Sequence, residues 1–418
     1  MNNVIIEEIT RIEGHLNFTI ELGEHIRAKA EAMEGIRLLE DILVKKYYWD
    51  IPDITSRMCG VCQAIHRLTS IQALEDAFNI ELPYELGIAR ELVAIAGHVQ
   101  SHILHLHFFV LPDLHYKRSI IDLIPSHKEL VMKAIRIKRV MDEIVKLYGG
   151  RVVHPITPVV GGFTELPSKD ISSQYLDKLK KVYKDAVEIT EAILNISWPD
   201  FKRETAYLSL KGKGIPLLNG TLHANGLSFI AKDYEKYIKA VIEEYSTARH
   251  YLLNNREYFV GALARLNNNY NELSENAAEL MEKYGYKFPS ANTFHNNVAQ
   301  ALEIIHYIDR AIEILKELSS TDVKKTMVKY NVTEGYGVSA TEAPRGLLIH
   351  AYKVDNNGRI VMARIITPTA QNYKNMERDV EAYVELMVNN NGIVKRDIEM
   401  LIRAYDPCVS CSARFITI

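Results

Sequence analysis

The chain has 418 residues, 47% of them hydrophobic and 25% charged, which is ordinary for a globular protein and enough to bury a large core. A formal net charge of −3 leaves no electrostatic footprint for nucleic acid. The sequence has no uninterrupted apolar run approaching the roughly 18 residues of a spanning helix. It also lacks a secretion-type N-terminus, so a cytoplasmic protein with no membrane span is expected.

In chain order, residues 3–21 alternate weakly and read as two short strands around a turn at Gly14. From Pro83, Ile88, Leu92, Ile95, Val99, Ile103 and Leu106 recur at helical spacing and predict a long helix running to Pro112. Residues 127–148 predict another, stopped by Gly149-Gly150, and 151–167 form a Pro/Gly-rich loop. Further helices are expected at 170–195, 232–255, 271–285 and 295–318. A hairpin follows, with strands at 347–354 and 360–366 around Asp355-Asn356-Asn357-Gly358, and then helices at 373–390 and 394–405. The fold class is therefore mainly α, a helical bundle core with small β elements near both ends. No linker composition divides the chain. One domain is expected, with an N-terminal region at 1–80, a helical body at 81–335 and a C-terminal region at 336–418. There is no GxGxxG and no Walker motif, so no nucleotide site is expected here.

The four cysteines carry the chemistry. Cys59 and Cys62 form one CxxC, Cys408 and Cys411 another, and there is no fifth. Two such pairs favour metal or redox chemistry over a disulfide framework. More than 300 residues separate them, so a shared site requires the fold to bring its two ends together. The spacing alone leaves open a four-thiolate zinc staple acting as a scaffold, or two unrelated pairs. His102, His105 and His107 also invite a metal reading, but they lie on a helix with a good apolar stripe and read instead as facing the core or a partner.

Four segments stand in one order: Arg11-Ile12-Glu13-Gly14-His15; Arg57-Met58-Cys59-Gly60-Val61-Cys62-Gln63-Ala64-Ile65-His66; Glu342-Ala343-Pro344-Arg345-Gly346; and Asp406-Pro407-Cys408-Val409-Ser410-Cys411. Together they resemble the large, catalytic subunit of nickel–iron hydrogenases, and the resemblance spans essentially the whole chain. The SHILHLHFFVLPD and ATEAPRG stretches resemble the sulfhydrogenase or NAD(P)-linked branch. Relatives of the same fold in the quinone-site subunit of respiratory complex I lack the cysteine pairs, which sets them apart from this chain.

The resemblance implies reversible heterolytic cleavage of dihydrogen at a Ni–Fe(CN)2(CO) centre. Soft thiolates suit such metals. Cys59 and Cys408 would bind nickel terminally, and Cys62 and Cys411 would bridge nickel to iron. Glu13 would be the relay base, although alone it reads as a capped or ion-paired glutamate at a strand turn. Arg345 would pack over the cyanide ligands, a task suited to a planar donor fork that does not titrate. His66, four residues past Cys62 on a helix, would donate to its sulfur. Pro368 and Thr369 would partner a cyanide. Asp113 would pair with the active-site arginine. Glu40 would be the carboxylate of a magnesium or iron site near the chain end. Where relatives carry a histidine for that site, position 414 is arginine, a poor ligand.

The resemblance also implies partners: an iron–sulfur small subunit, further iron–sulfur, flavin and NAD(P)-reactive subunits carrying those cofactors, and a maturation endopeptidase. The last of these is expected to cut after Arg414 and release Phe415-Ile416-Thr417-Ile418.

Overall fold

The alternating N-terminal segment forms strands, with one more than expected. β1 (Asn2–Ile6), β2 (Leu16–Leu22) and β3 (Arg27–Ala32) make an antiparallel sheet in that order, and Leu16, Phe18 and Ile20 are fully buried on one face of β2. The period of two sends alternate side chains to one face, which is the signal the sequence carried. The computed structural model describes residues 2–6, 9–33, 39–390 and 392–412, with 2–6 and 390 as backbone. Arg414 and the tail expected to be cleaved lie outside the described residues.

A short helix α1 (Leu39–Leu43) precedes α2 (Gln63–Ala77), which is almost wholly buried. Helix α3 (Tyr84–Ile103) starts directly after Pro83. It continues through a π-helical stretch at Leu104–Val110 and a last turn at Leu111–Leu114. Pro112 falls in the first turn of that last piece, where no N–H is needed, so the helical run passes it. Helix α4 (Ile124–Gly149) ends where Gly150 turns left-handed (φ 77°) and returns its N–H to the Lys146 carbonyl at 2.8 Å. Helix α5 (Lys169–Leu194) is capped by Ser168.

Mid-chain, the expected helix at 232–255 is absent. After small strands β4 (Ser209–Lys211), β5 (Thr221–Ala224) and β6 (Leu227–Phe229), residues 234–237 make a single helical turn. The chain then forms an antiparallel pair, β7 (Ile238–Ile242) and β8 (Arg249–Leu253). Ile238, Val241, Ile242 and Tyr251 are β-branched or aromatic, and packing against a later helix decides in favour of strand. The helix expected at 271–285 forms over Glu275–Lys283, and a short helix that was not expected, α6 (Ala262–Asn269), precedes it.

Helix α7 (His295–Ser320) matches its predicted span closely. Helices α3, α4, α5 and α7 pack each on its neighbours into a closed four-helix body, with Leu92, Val99, Met141, Ile189 and Ile305 fully buried. Among the described residues, no helix is long and apolar enough to cross a membrane.

The C-terminal region adds the sheet β9 (Gly335–Ala343), β10 (Gly346–Val354) and β11 (Ile360–Ile366), with the predicted Asp355–Gly358 turn between the last two. Helix α2 lies directly on β9. Gly337 permits this: a Cβ there would sit 2.0 Å from the Ala73 carbonyl oxygen. Helices α8 (Pro368–Asn390) and α9 (Lys395–Ala404) follow, and a helical turn at Val409–Ser412 closes the described chain.

Candidate metal centre

The two ends of the chain meet through backbone. The Glu13 N–H donates to the Pro407 carbonyl at 3.3 Å, and the Val409 N–H donates to the Glu13 carbonyl at 2.8 Å, so residues 11–15 run parallel to 406–410. This contact sets Cys408 and Cys411 opposite Cys59 and Cys62. Cys62 is the cap residue of α2, and Cys59 lies in the turn before it, where the N–H groups of Val61 and Cys62 donate to its sulfur at 3.2 and 3.3 Å.

All four sulfurs are buried and lie within 4.8 Å of one another. They couple across the pairs: Cys59 to Cys408 at 3.5 Å and Cys62 to Cys411 at 3.4 Å, with Cys408 and Cys411 at 2.9 Å. Donation from the Cys408, Cys411 and Cys59 thiols holds Cys62 well below the ordinary thiol range. Burial pushes Cys408 and Cys411 well above it. Ionising the whole set therefore takes the positive charge of bound metal.

Glu13 stands beside this set. Its Oε2 accepts from the Cys408 thiol at 3.1 Å and from the Ser410 N–H at 3.1 Å. Thr369 accepts the Cys408 N–H on Oγ1 at 2.9 Å, and Pro368 supplies the first residue of α8 just before it. Arg345 occupies the tip of the β9–β10 hairpin. Gly346 (φ 126°) makes that tip possible, since a Cβ there would lie 2.7 Å from the Gly261 nitrogen. The Arg345 Nε donates to Asp406, at 2.8 Å to its carbonyl and 3.0 Å to Oδ1. Burial opposes its charge, but Asp406 and the sulfurs of Cys408, Cys59 and Cys62 more than offset that and hold it well above the ordinary range. Among the described residues its buried Nη1 has no hydrogen-bond partner. A guanidinium N–H left without a partner among the described residues, beside four sulfurs, fits a metal centre that carries further hydrogen-bond-accepting ligands.

Three expected placements change. His66 stands one helical turn beyond Cys62 and favours its thiolate electrostatically, but its Nδ1 faces the His350 Nε2 at 3.2 Å. His350 in turn meets the Tyr352 hydroxyl at 2.7 Å. Asp113 does not pair with Arg345. It binds Arg11 and Arg403, the latter at 2.6 Å, and its carbonyl takes Arg396, while Arg345 is paired by Asp406. Glu40 is saturated by protein: Oε1 accepts the Ile365 N–H at 2.9 Å, and Oε2 faces Arg249 and Arg364 at 3.2 and 3.3 Å. Two guanidiniums on one carboxylate oppose a cation there, so among the described residues Glu40 does not fit a magnesium or iron ligand. The histidine run is core, as expected: His102 meets Glu303 at 2.8 Å, His105 meets Gln300 at 2.6 Å, and His107 meets the Ile189 carbonyl at 3.2 Å.

Four buried cysteines brought together across the two ends of a helical body form a site able to hold metal. Residues 37–127 and 222–414 match the family of nickel-dependent hydrogenases, and the chain belongs to that family. It is 34% identical to the alpha subunit of sulfhydrogenase 1 of Pyrococcus furiosus, covering 99% of this chain and 98% of that one. It is 27% identical to the beta subunit of the NAD-reducing hydrogenase of Cupriavidus necator, over 98% of this chain and 94% of that one. Among solved structures, an NAD+-reducing [NiFe]-hydrogenase superposes with a TM-score of 0.88 at 23% identity, covering 99% of this chain and all of that one. The Ni-Fe-Se hydrogenase of Desulfovibrio vulgaris Hildenborough superposes with a TM-score of 0.81 at 25% identity and similar coverage. The chain is a nickel-dependent hydrogenase catalytic subunit.

Proposed function

We propose that the four thiolates hold a Ni–Fe(CN)2(CO) centre, with Cys59 and Cys408 terminal on nickel and Cys62 and Cys411 bridging. The observation that carries this reading is the Nη1 of buried Arg345, unpartnered among the described residues, beside the four clustered sulfurs. When bound, the centre supplies heterolytic cleavage of dihydrogen. Glu13, already accepting from the Cys408 sulfur, takes the proton from that side. Arg345, whose fork Asp406 fixes, would offer an N–H to a cyanide of the bound centre. Thr369 holds the Cys408 backbone, and with Pro368 it would partner a cyanide of the bound centre through its hydroxyl. His66, one helical turn beyond Cys62, favours the thiolate form of that cysteine.

Electrons must then leave through a partner. The chain has no cysteine beyond the four, and an iron–sulfur cluster takes about four of its own. An iron–sulfur small subunit fits that need, with flavin and NAD(P) chemistry on further subunits, as the names of the sulfhydrogenase and NAD-reducing relatives suggest.

Elemental analysis and infrared spectroscopy of the purified complex test the reading. Nickel and iron in equal amounts on this chain, with carbonyl and cyanide stretching bands, are expected. Zinc alone, or metals without those bands, refutes it.

A further inference from the structure

Asp406, which aims Arg345, sits in a left-handed conformation (φ 51°) that a non-glycine residue adopts only when its surroundings hold it. Two contacts supply the hold. The Asp406 N–H returns to the Arg403 carbonyl at 2.8 Å, and its Oδ2 accepts from the Gln300 amide at 3.1 Å. One residue grips both. The His105 Nε2 lies 2.8 Å from the same Arg403 carbonyl, and its Nδ1 lies 2.6 Å from the Gln300 Oε1. His105, Gln300, Asp406 and Arg345 are all buried. His105 reaches this position from the π-helical stretch after α3, a local rewinding that frequently marks functional sites.

Donor accounting fixes the roles. The Asp406 carboxylate only accepts, so Gln300 must present its NH2 to Asp406 and its oxygen to His105. The other nitrogen of His105 also faces an oxygen. A neutral ring carries one N–H and cannot serve two acceptors; a doubly protonated ring serves both, and the short 2.6 Å contact suits a charged donor.

We propose that His105 is a positioning residue: a buried imidazolium that, through Gln300 and the Arg403 carbonyl, locks Asp406 and thereby fixes the Arg345 fork over the thiolate cluster. The step to the metals rests on the reading of Arg345 given above. The protonation state of His105 does not.

Neutron diffraction from the deuterium-exchanged, purified complex locates the ring deuterons directly. Deuterons on both His105 nitrogens are expected, and a single one overturns the proposal, whether or not the metal reading holds. In the loaded complex, His105→Phe keeps the ring's bulk and removes both donors. Its cyanide stretching bands should shift while nickel content stays full, turnover should fall ten- to a hundredfold from a misplaced fork, and His105→Lys should move the bands back toward wild type. Unshifted bands in a fully loaded His105→Phe complex also overturn the proposal. Failure of the metal-centre reading is seen separately, as absence of such bands in the wild-type complex.

Discussion

The closeness of β9 to α2 is a strong structural constraint on the metal centre, and a single methyl group tests it. In Gly337→Ala the new Cβ lands 2.0 Å from the Ala73 carbonyl oxygen and 2.4 Å from the Ala77 nitrogen. Real Cβ atoms keep at least 3.0 Å, so helix and strand must separate by about 1 Å. Both clashing atoms are backbone, so no side chain can rotate away. Overpacking of this kind costs about 1–3 kcal/mol or more. The functional effect should exceed the stability effect, because Cys62 caps the start of α2 and β9 ends two residues before Arg345, so the two sides of the centre move apart. A misplacement of about 1 Å can cost a hundredfold in rate. Nickel content, apparent melting temperature and dihydrogen uptake of the purified complex measure these together. Gly87→Ala is the control. That glycine lies within α3 with nothing near its Cβ, so alanine there should be neutral or stabilise by up to about 1 kcal/mol. A Gly337→Ala complex with wild-type melting and full nickel refutes the reasoning.

Glu13→Gln should leave nickel and iron content unchanged and slow proton/deuterium exchange by about 10²–10⁴-fold, since the ligands remain and the base is lost; full exchange removes Glu13 from the relay. Arg345→Lys keeps the charge but loses the planar fork and its Nε bond to Asp406, so the cyanide bands should shift and activity fall with metals retained; an unchanged infrared spectrum refutes that role. Burial pushes Glu342 up from 4.5 to about 7, against the pull of Arg265. A carboxyl raised in the folded state binds its proton more tightly folded than unfolded, so stability falls as pH climbs from the unfolded value through 7, by about 3 kcal/mol at most. Glu342→Gln removes that loss, so the variant's melting temperature relative to wild type should rise between pH 5 and pH 8; a pH-independent offset refutes it.

What was legible in the sequence was local pattern and motif. The long helices announced themselves by periodicity over five or more turns, and α7 begins where predicted. The spacing of the cysteine pairs pointed to metal or redox chemistry, and it was the resemblance carried by their flanking motifs that pointed to a nickel–iron centre. The span at 232–255 failed because a short segment with apolar residues at both helical and strand spacings is decided by what it packs on. Here His250 of β8 lies against the Tyr373 ring of α8, with centroids 4.9 Å apart. Pairing of buried charges was equally illegible. Asp113 had several arginines to choose from, and only the fold brings Arg11 and Arg403 to it. Glu40 meets Arg249 and Arg364 from strands more than 200 residues away. The signal for Asp406 was present in the quoted Asp-Pro-Cys motif, but its partners His105 and Gln300 sit on different helices and left no mark in the pattern.

Glu13 shows why closing the chain and loading the metals belong together. One residue ties the two ends three times: its N–H to Pro407, its carbonyl to Val409, and its carboxylate to Ser410 and Cys408. Two of those ties are backbone and survive any side-chain change; the third is also the proposed proton path. Unmetallated, Cys408 and Cys411 stay protonated because burial raises them well above the ordinary thiol range, and only bound metal ionises the whole set, so folding of the C-terminal turn is thermodynamically linked to metal binding. The choice of glutamine at position 13 follows from this. An amide oxygen can still accept from the Ser410 N–H, so the seam stays closed and the centre still assembles, but the group no longer exchanges a proton at working pH. Glu13→Ala, which also loses the Ser410 contact, should reduce nickel content as well as exchange. The difference between the two variants separates the clamp from the base.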